Sequence, residues 1–269
     1  MNIEHISISR SKLYKECPHR YKLKYHLKVP NPEAEPFYFT YGKIIHKVAE
    51  VYVQEKAGRS LGEISSDVLR GKIEFTEGVK APPLPSDYQK RLPGHLRAIK
   101  KITDSMGVEG ETEKNFKYDL QPPNSKLVTG VIDRLLVKGD KAFILDYKTT
   151  KKGPFRETKD TILRDPQLRC YARVVNRDYG IPAKNITAAL YYLEDGELIA
   201  ATYSQQSLYD IEKELLEVYD SIAGHDPDKV FGYVGQHCNR CEYREQCVFF
   251  RNQQQFSWDG NMDALFNSR

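Results

Sequence analysis

The sequence predicts a sheet domain of the α/β or α+β class, its strands bracketed by helices. After Val108 the apolar pattern changes from a helical period to alternation, giving three consecutive strand segments. Helical segments bracket these strands, and a hairpin pattern turning at Asp195-Gly196 follows. The 269 residues, 40% hydrophobic and 11% aromatic, are enough for one large core, or for one domain with a helical appendage.

Ser7 or Ser9 caps a first helix running to about Leu27, with Leu13, Cys17 and Tyr21 on one face. Pro30, Pro32 and Pro36 then interrupt the chain. A second helix spans Tyr41 to Lys56 on the apolar stripe Ile45, Val48, Ala49 and Tyr52. A helical or irregular region continues to Met106, broken by a surface loop at Ala81-Pro-Pro-Leu-Pro-Ser86. Strands are expected at Glu109–Leu120, Lys126–Lys138 and Ala142–Thr149, with turns at residues 121–125 and at Gly139-Asp140. A helix over Arg164–Asp178 stops at Gly180 and Pro182. Strands Ile186–Leu193 and Glu197–Tyr203, a helix Ser207–Ala223 and a cysteine-rich tail complete the chain.

No apolar stretch approaches the ~20 residues that span a bilayer, so no membrane partner is expected. The segment from Met1 to Cys17 has no apolar run of the signal-peptide kind, which points to a reducing, cytoplasmic location. In that setting five cysteines favour metal or redox chemistry over disulfides. The net charge of +4 says little about partners, but local density says more. Between Arg10 and Lys28 there are seven lysines or arginines against Glu16 alone, with Tyr14, Tyr21 and Tyr25 interleaved. Such a face either holds phosphates or is simply solvated.

Residues two apart in a strand share a side, so Asp146 and Lys148 are placed together and Tyr147 faces the opposite layer. A carboxylate at the end of an apolar strand needs an ion pair or a cation. Asp133 ends the apolar stretch of the preceding strand, and two carboxylates from adjacent strands make a hard oxygen site for Mg²⁺ or Mn²⁺. A buried Asp–Lys pair with Asp133 in a turn is the plainer reading of the same residues. Glu109, Glu111 and Glu113 alternate on one strand face; an exposed charged face is the plainer reading, and if one adds a carboxylate to the site, Glu111 or Glu113 is favoured.

Four motifs occur in one order: Gly42-Lys-Ile-Ile-His46, Gly130-Val-Ile-Asp133, Asp146-Tyr-Lys148 and Gln167-Leu-Arg-Cys-Tyr171. With them the chain resembles the PD-(D/E)XK nuclease superfamily, in particular its RecB-like branch, over about residues 7–250. The resemblance implies a restriction-endonuclease-like mixed sheet flanked by helices. It implies metal contacts from His46, Asp133, Asp146 and the Tyr147 carbonyl, and assistance to the nucleophile from Lys148. Gln167 and Tyr171 would border the site and position DNA. The implied organisation is a single domain over 1–269, with a helical insertion or lid at 41–106 and a catalytic core at 107–224.

Cys238-x2-Cys241 followed by Cys247 suits either zinc or an iron–sulfur centre, and His237 keeps a Cys3His zinc site open. The chain resembles CRISPR-associated RecB-like nucleases and the nuclease domain of the AddB subunit of a bacterial helicase–nuclease. That resemblance implies a 4Fe–4S cluster on Cys17, Cys238, Cys241 and Cys247, joining terminal segments 1–40 and 225–250. Cys170 is expected to pack as a small apolar residue.

The expected function is a metal-dependent DNA exonuclease preferring single-stranded ends, in recombination, repair or processing. A helicase, recombinase or CRISPR integrase is the expected type of protein partner. One alternative is processing of DNA for CRISPR spacer acquisition. The other is a non-catalytic, zinc- or cluster-stabilised nucleic-acid-binding protein.

Overall fold

The computed structural model describes residues 1, 3–31, 36–76, 78–123, 126–154 and 156–255. Pro32 of the expected proline break, and residues 124–125 of the expected turn, lie outside them. The chain divides into two compact units: Met1–Glu4, Ser9–Ala34 and Val218–Arg269 form one; His5–Ile8 and Glu35–Glu217 form the other.

The larger unit carries the sheet. β1 (His5–Ile6) is followed, after a long helical stretch, by β2 (Glu111–Asp119), β3 (Leu127–Lys138), β4 (Lys141–Lys148), β5 (Ile186–Tyr192) and β6 (Glu197–Thr202). β3 is antiparallel to β2 and β4 and parallel to β1; β4 and β5 are parallel, and β5 and β6 antiparallel. The sheet is therefore mixed and helix-flanked, as expected. A parallel pair needs a crossover, and α6 (Pro166–Asp178) supplies it between β4 and β5. Asp165 caps α6 by accepting from Leu168 N at 2.8 Å, with Pro166 at the first helical position.

Beside the sheet, α3 (Phe37–Gln54) buries Tyr41, Ile44, Ile45, Val48, Ala49 and Tyr52. They join one apolar core with α4 (Leu61–Leu69), α5 (Ser86–Met106) and the sheet residues Leu145, Tyr147, Ala189 and Tyr191. The region expected as helical or irregular is thus two helices around the Ala81–Ser86 loop. α4 starts in a capping box: Ser60 Oγ accepts from Glu63 N, and Glu63 Oε2 accepts from Ser60 N. The last long helix, α7, spans Gln205–Gly224.

The feature of the sheet that matters most for function is a fork. β2 covers one edge of β3 from Leu127 to Leu135, so β1 and β4 must share the other edge. β1 takes Leu127 and Val128, while β4 takes Arg134 to Lys138. The β3–β4 ladder stops at Arg134↔Leu145, immediately before Asp133 and Asp146. Gly130 lies within the stretch that neither β1 nor β4 covers, opposite Phe116 of β2. A Cβ there would come within 2.4 Å of Phe116 Cζ, and the Phe116 ring in turn meets Tyr171 of α6 edge-on at 6.0 Å. Gly130→Ala is accordingly expected to destabilise the protein by about 1–3 kcal/mol, read as a lower urea midpoint. An unchanged midpoint would show that Phe116 moves aside freely.

The smaller unit departs from expectation in two respects. The helix expected as far as Leu27 is α1 (Ile8–Glu16), α2 (Pro18–Tyr21) and a π-helical turn over Lys22–His26. Pro18 has no N–H and bars its predecessor from helical geometry, so Cys17 is extended (φ −159°, ψ 105°) and caps α2. Tyr14 and Tyr21 are buried against each other edge-on rather than presented as a stacking surface, and Arg20 pairs with Glu242 and Glu16.

The expected 4Fe–4S cluster is corrected. Among the described residues, the group of three metal-donor atoms that converge within 4.8 Å is His46, Glu113 and Asp133, and it contains no cysteine. Cys17, Cys238, Cys241 and Cys247 border a common cavity, but their sulfurs do not converge in this way; all five cysteines are free thiols. Burial pushes the Cys17 and Cys241 thiols up. Within this unit the early and late segments are joined by polar contacts instead. Tyr233 OH donates to Lys15 O at 2.8 Å, Tyr243 OH to Val29 O at 3.0 Å, and Arg20 Nε to Glu242 at 2.8 Å. α8 (Val248–Gln255) ends the described chain. Cys170 on α6 is buried, and burial holds its thiol up at about 12, as suits a packing residue.

Candidate metal centre

The fork places a carboxylate where a ladder bond would otherwise be. Tyr147 N–H donates to Asp133 Oδ2 at 2.8 Å, so the side chain of β3 satisfies the backbone of β4 just beyond the last strand pair. The Tyr147 carbonyl is satisfied from the helix layer, by His46 Nε2 of α3 at 3.0 Å. A carbonyl can only accept, so Nε2 carries the hydrogen and Nδ1 faces the carboxylates. Nδ1 lies 3.4 Å from Asp133 Oδ2 and 3.9 Å from Glu113 Oε1.

Glu113 is the residue the sequence could not select. It drops out of the β2–β3 ladder between Thr112↔Arg134 and Lys114↔Ile132, with a φ of 46°. A left-handed backbone at a glutamate stores about 1–3 kcal/mol of strain. Glu111 is held elsewhere, by Lys114 Nζ at 2.8 Å and by the Tyr179 hydroxyl. Alternation of Glu109, Glu111 and Glu113 was the only sequence signal, and it could not show which one leaves the ladder.

The charges at this centre are mutually strained. Burial, then the nearby Asp133 carboxylate, pushes Glu113 up to about 7. Burial alone would depress His46, but Asp133, Asp146 and Glu113 outweigh it and hold the imidazole up at about 9. Burial also opposes ionisation of Asp133, yet His46 and Lys148 keep its carboxyl below the usual range. Two carboxylates and an imidazole fit Mg²⁺ or Mn²⁺ in donor chemistry, and a cation there would relieve the repulsion that raises Glu113.

The remaining sequence candidates form an adjoining chain. Asp146, 1% exposed, has Oδ2 2.6 Å from Lys148 Nζ, an ion pair without hydrogen-bond alignment. Lys148 Nζ donates to Gln167 Oε1 at 3.2 Å, and Gln167 Nε2 donates to the Tyr171 hydroxyl at 2.7 Å. Burial pushes Asp146 up, with Asp133 adding to it against Lys148. Burial lowers Lys148, but Asp146 overrides it and holds the ammonium up at about 12. Asp146 therefore lies beside the three-donor group rather than in it, and the Tyr147 carbonyl is already engaged by His46. Tyr171 is buried, with its hydroxyl turned to Gln167.

Cation binding should depend on pH in a defined direction. Below about 7 a proton sits on Glu113, and below about 9 one sits on His46, so protons compete for the donor atoms. Rising pH removes that competition. The gain in melting temperature on adding Mg²⁺ should thus be larger at about pH 8.5 than at about pH 6; equal gains would place the cation elsewhere.

No curated protein matches the chain. A solved structure described as "putative exonuclease" from Eubacterium rectale is similar at 11% identity and a TM-score of 0.52, over 99% of this chain and 94% of that one. The structure of SSO0001 is similar at 13% identity and a TM-score of 0.39, over 86% of this chain and 93% of that one. No helix among the described residues is long and apolar enough to cross a membrane. The family model for the PD-(D/E)XK nuclease superfamily matches residues 5–248, a span holding every residue of the fork and its neighbours. The chain belongs to the PD-(D/E)XK nuclease superfamily.

Proposed function

We propose that this protein is a divalent-cation-dependent DNA exonuclease of the RecB-like kind, acting on single-stranded ends and leaving a 5′-phosphate and a 3′-hydroxyl. The observation that carries the reading is the convergence of His46, Glu113 and Asp133 within 4.8 Å, beside the Asp146–Lys148 pair. The four ordered motifs support the branch, and the description of the Eubacterium rectale structure supports exonuclease action.

In this reading His46, Glu113 and Asp133 hold Mg²⁺ or Mn²⁺. When bound, the cation polarises the scissile phosphate and lowers the pKa of the attacking water. Lys148, held up at about 12, stays an ammonium; it offsets charge growing on the phosphate and is not a general base. Asp146 and Gln167 aim its Nζ, and the Tyr171 hydroxyl fixes the amide of Gln167 so that its oxygen faces the ammonium.

Time-resolved digestion of single-stranded DNA, labelled separately at each end, tests the reading. Mg²⁺- or Mn²⁺-dependent shortening from one end is expected, and the label first released as a small product gives the polarity. Intact DNA bound by folded protein in either cation would instead favour a binding protein.

A further inference from the structure

Two exposed aromatic side chains stand on the helix that supplies His46. Tyr38 and Phe39 are 50% and 49% exposed, in the first turn of α3, with ring centroids 4.3 Å apart. The same helix buries Ile44, Ile45 and Val48 completely, so these rings are not surplus core residues. Phe39, Gly42, Lys43 and His46 follow the spacing i, i+3, i+4 and i+7, which aligns them along one helix face. Seven residues of helix separate Phe39 from His46 by about 10 Å along the axis.

Of the two positions between them on this face, Lys43 carries an exposed side chain and Gly42 is bare. A Cβ at Gly42 would meet nothing closer than Thr149 Oγ1 at 3.9 Å, so the glycine is not forced by close packing. Thr149, the residue after Lys148, borders this bare position on the way from Phe39 to His46.

We propose that Tyr38 and Phe39 are a base-stacking platform. It takes an unpaired base of the strand whose phosphate lies at the His46, Glu113 and Asp133 centre, and so selects single-stranded over duplex DNA. The inference rests on the nuclease reading for the identity of the strand. An unpaired strand presents the faces of its bases to aromatic rings, whereas a duplex keeps them stacked internally. The platform and the cation centre together set a distance at which one strand can be held while its phosphate is placed for attack.

The test is fluorescence anisotropy with the full chain in chelator, comparing short oligo-dT with a blunt duplex of the same length. Phe39→Ala should lower the single-strand-to-duplex affinity ratio by about tenfold, and Phe39→Trp should restore it. An abasic residue walked along the oligo-dT should reproduce the loss at one position, where Phe39→Ala then adds nothing. Equal weakening of both DNAs, no weakening, or an abasic effect without a preferred position would overturn the platform. The two readings fail separately. Phe39-dependent binding without cleavage in Mg²⁺ or Mn²⁺ sinks the nuclease and keeps the platform, while cleavage with Phe39-independent binding does the reverse.

Discussion

Asp133→Asn is expected to lower DNA hydrolysis by at least about a hundredfold, with the melting temperature nearly unchanged. Asparagine keeps an oxygen that can accept from Tyr147 N–H, so the fork between β3 and β4 stays closed. What it loses is the charge that faces His46 Nδ1 and stands against Glu113. The imidazole pKa should fall from about 9, since the Asp133 carboxylate is the foremost of the groups raising it. Histidine titration by NMR would read that shift independently of catalysis. A wild-type rate in the folded variant would reject this centre as the seat of hydrolysis.

Lys148→Met is expected to cost about 10²–10³ in rate while leaving cation binding in place, because Lys148 is outside the three-donor group. It also strands Asp146, 1% exposed and already pushed up by burial. A carboxyl raised by burial is neutral at low pH and pays for ionising as pH rises. The stability loss in Lys148→Met should therefore be greater at about pH 8 than at about pH 5. Adding Asp146→Asn removes the stranded charge, and should recover stability but not rate. Recovery of rate in the double variant, measured by the same hydrolysis assay, would mean that the ammonium serves only to neutralise Asp146.

The core strands were legible because local chemistry and tertiary demand agree there. Residues 126–138 and 142–149 were expected as strands and form Leu127–Lys138 and Lys141–Lys148, separated by Gly139 at φ 58°. The pairing of Asp146 with Lys148 followed from the two-residue period alone. β1 was missed because two residues carry no period. The break at Cys17 was readable from Pro18, but the apolar spacing across it argued for one helix. Glu113 was hidden for a different reason: its selection depends on a left-handed backbone that no residue pattern announces. The cysteines misled because spacing along a chain does not say where sulfurs point. Cys17 is used as a helix cap, with Sγ accepting from Arg20 N at 3.5 Å. Basic and aromatic residues of the first segment were likewise read as a surface, whereas Tyr14 and Tyr21 are core and Arg20 is an internal brace.

The most direct test of the central claim is a Mn²⁺ titration followed by electron paramagnetic resonance, at about pH 8, on wild type and Glu113→Gln. Glu113 is the candidate donor that the fold, rather than any motif, brings to Asp133 and His46. A single Mn²⁺ site in wild type, weakened by about tenfold or more in the variant, is the predicted result. Identical binding by the two proteins would contradict it and place the cation away from the fork.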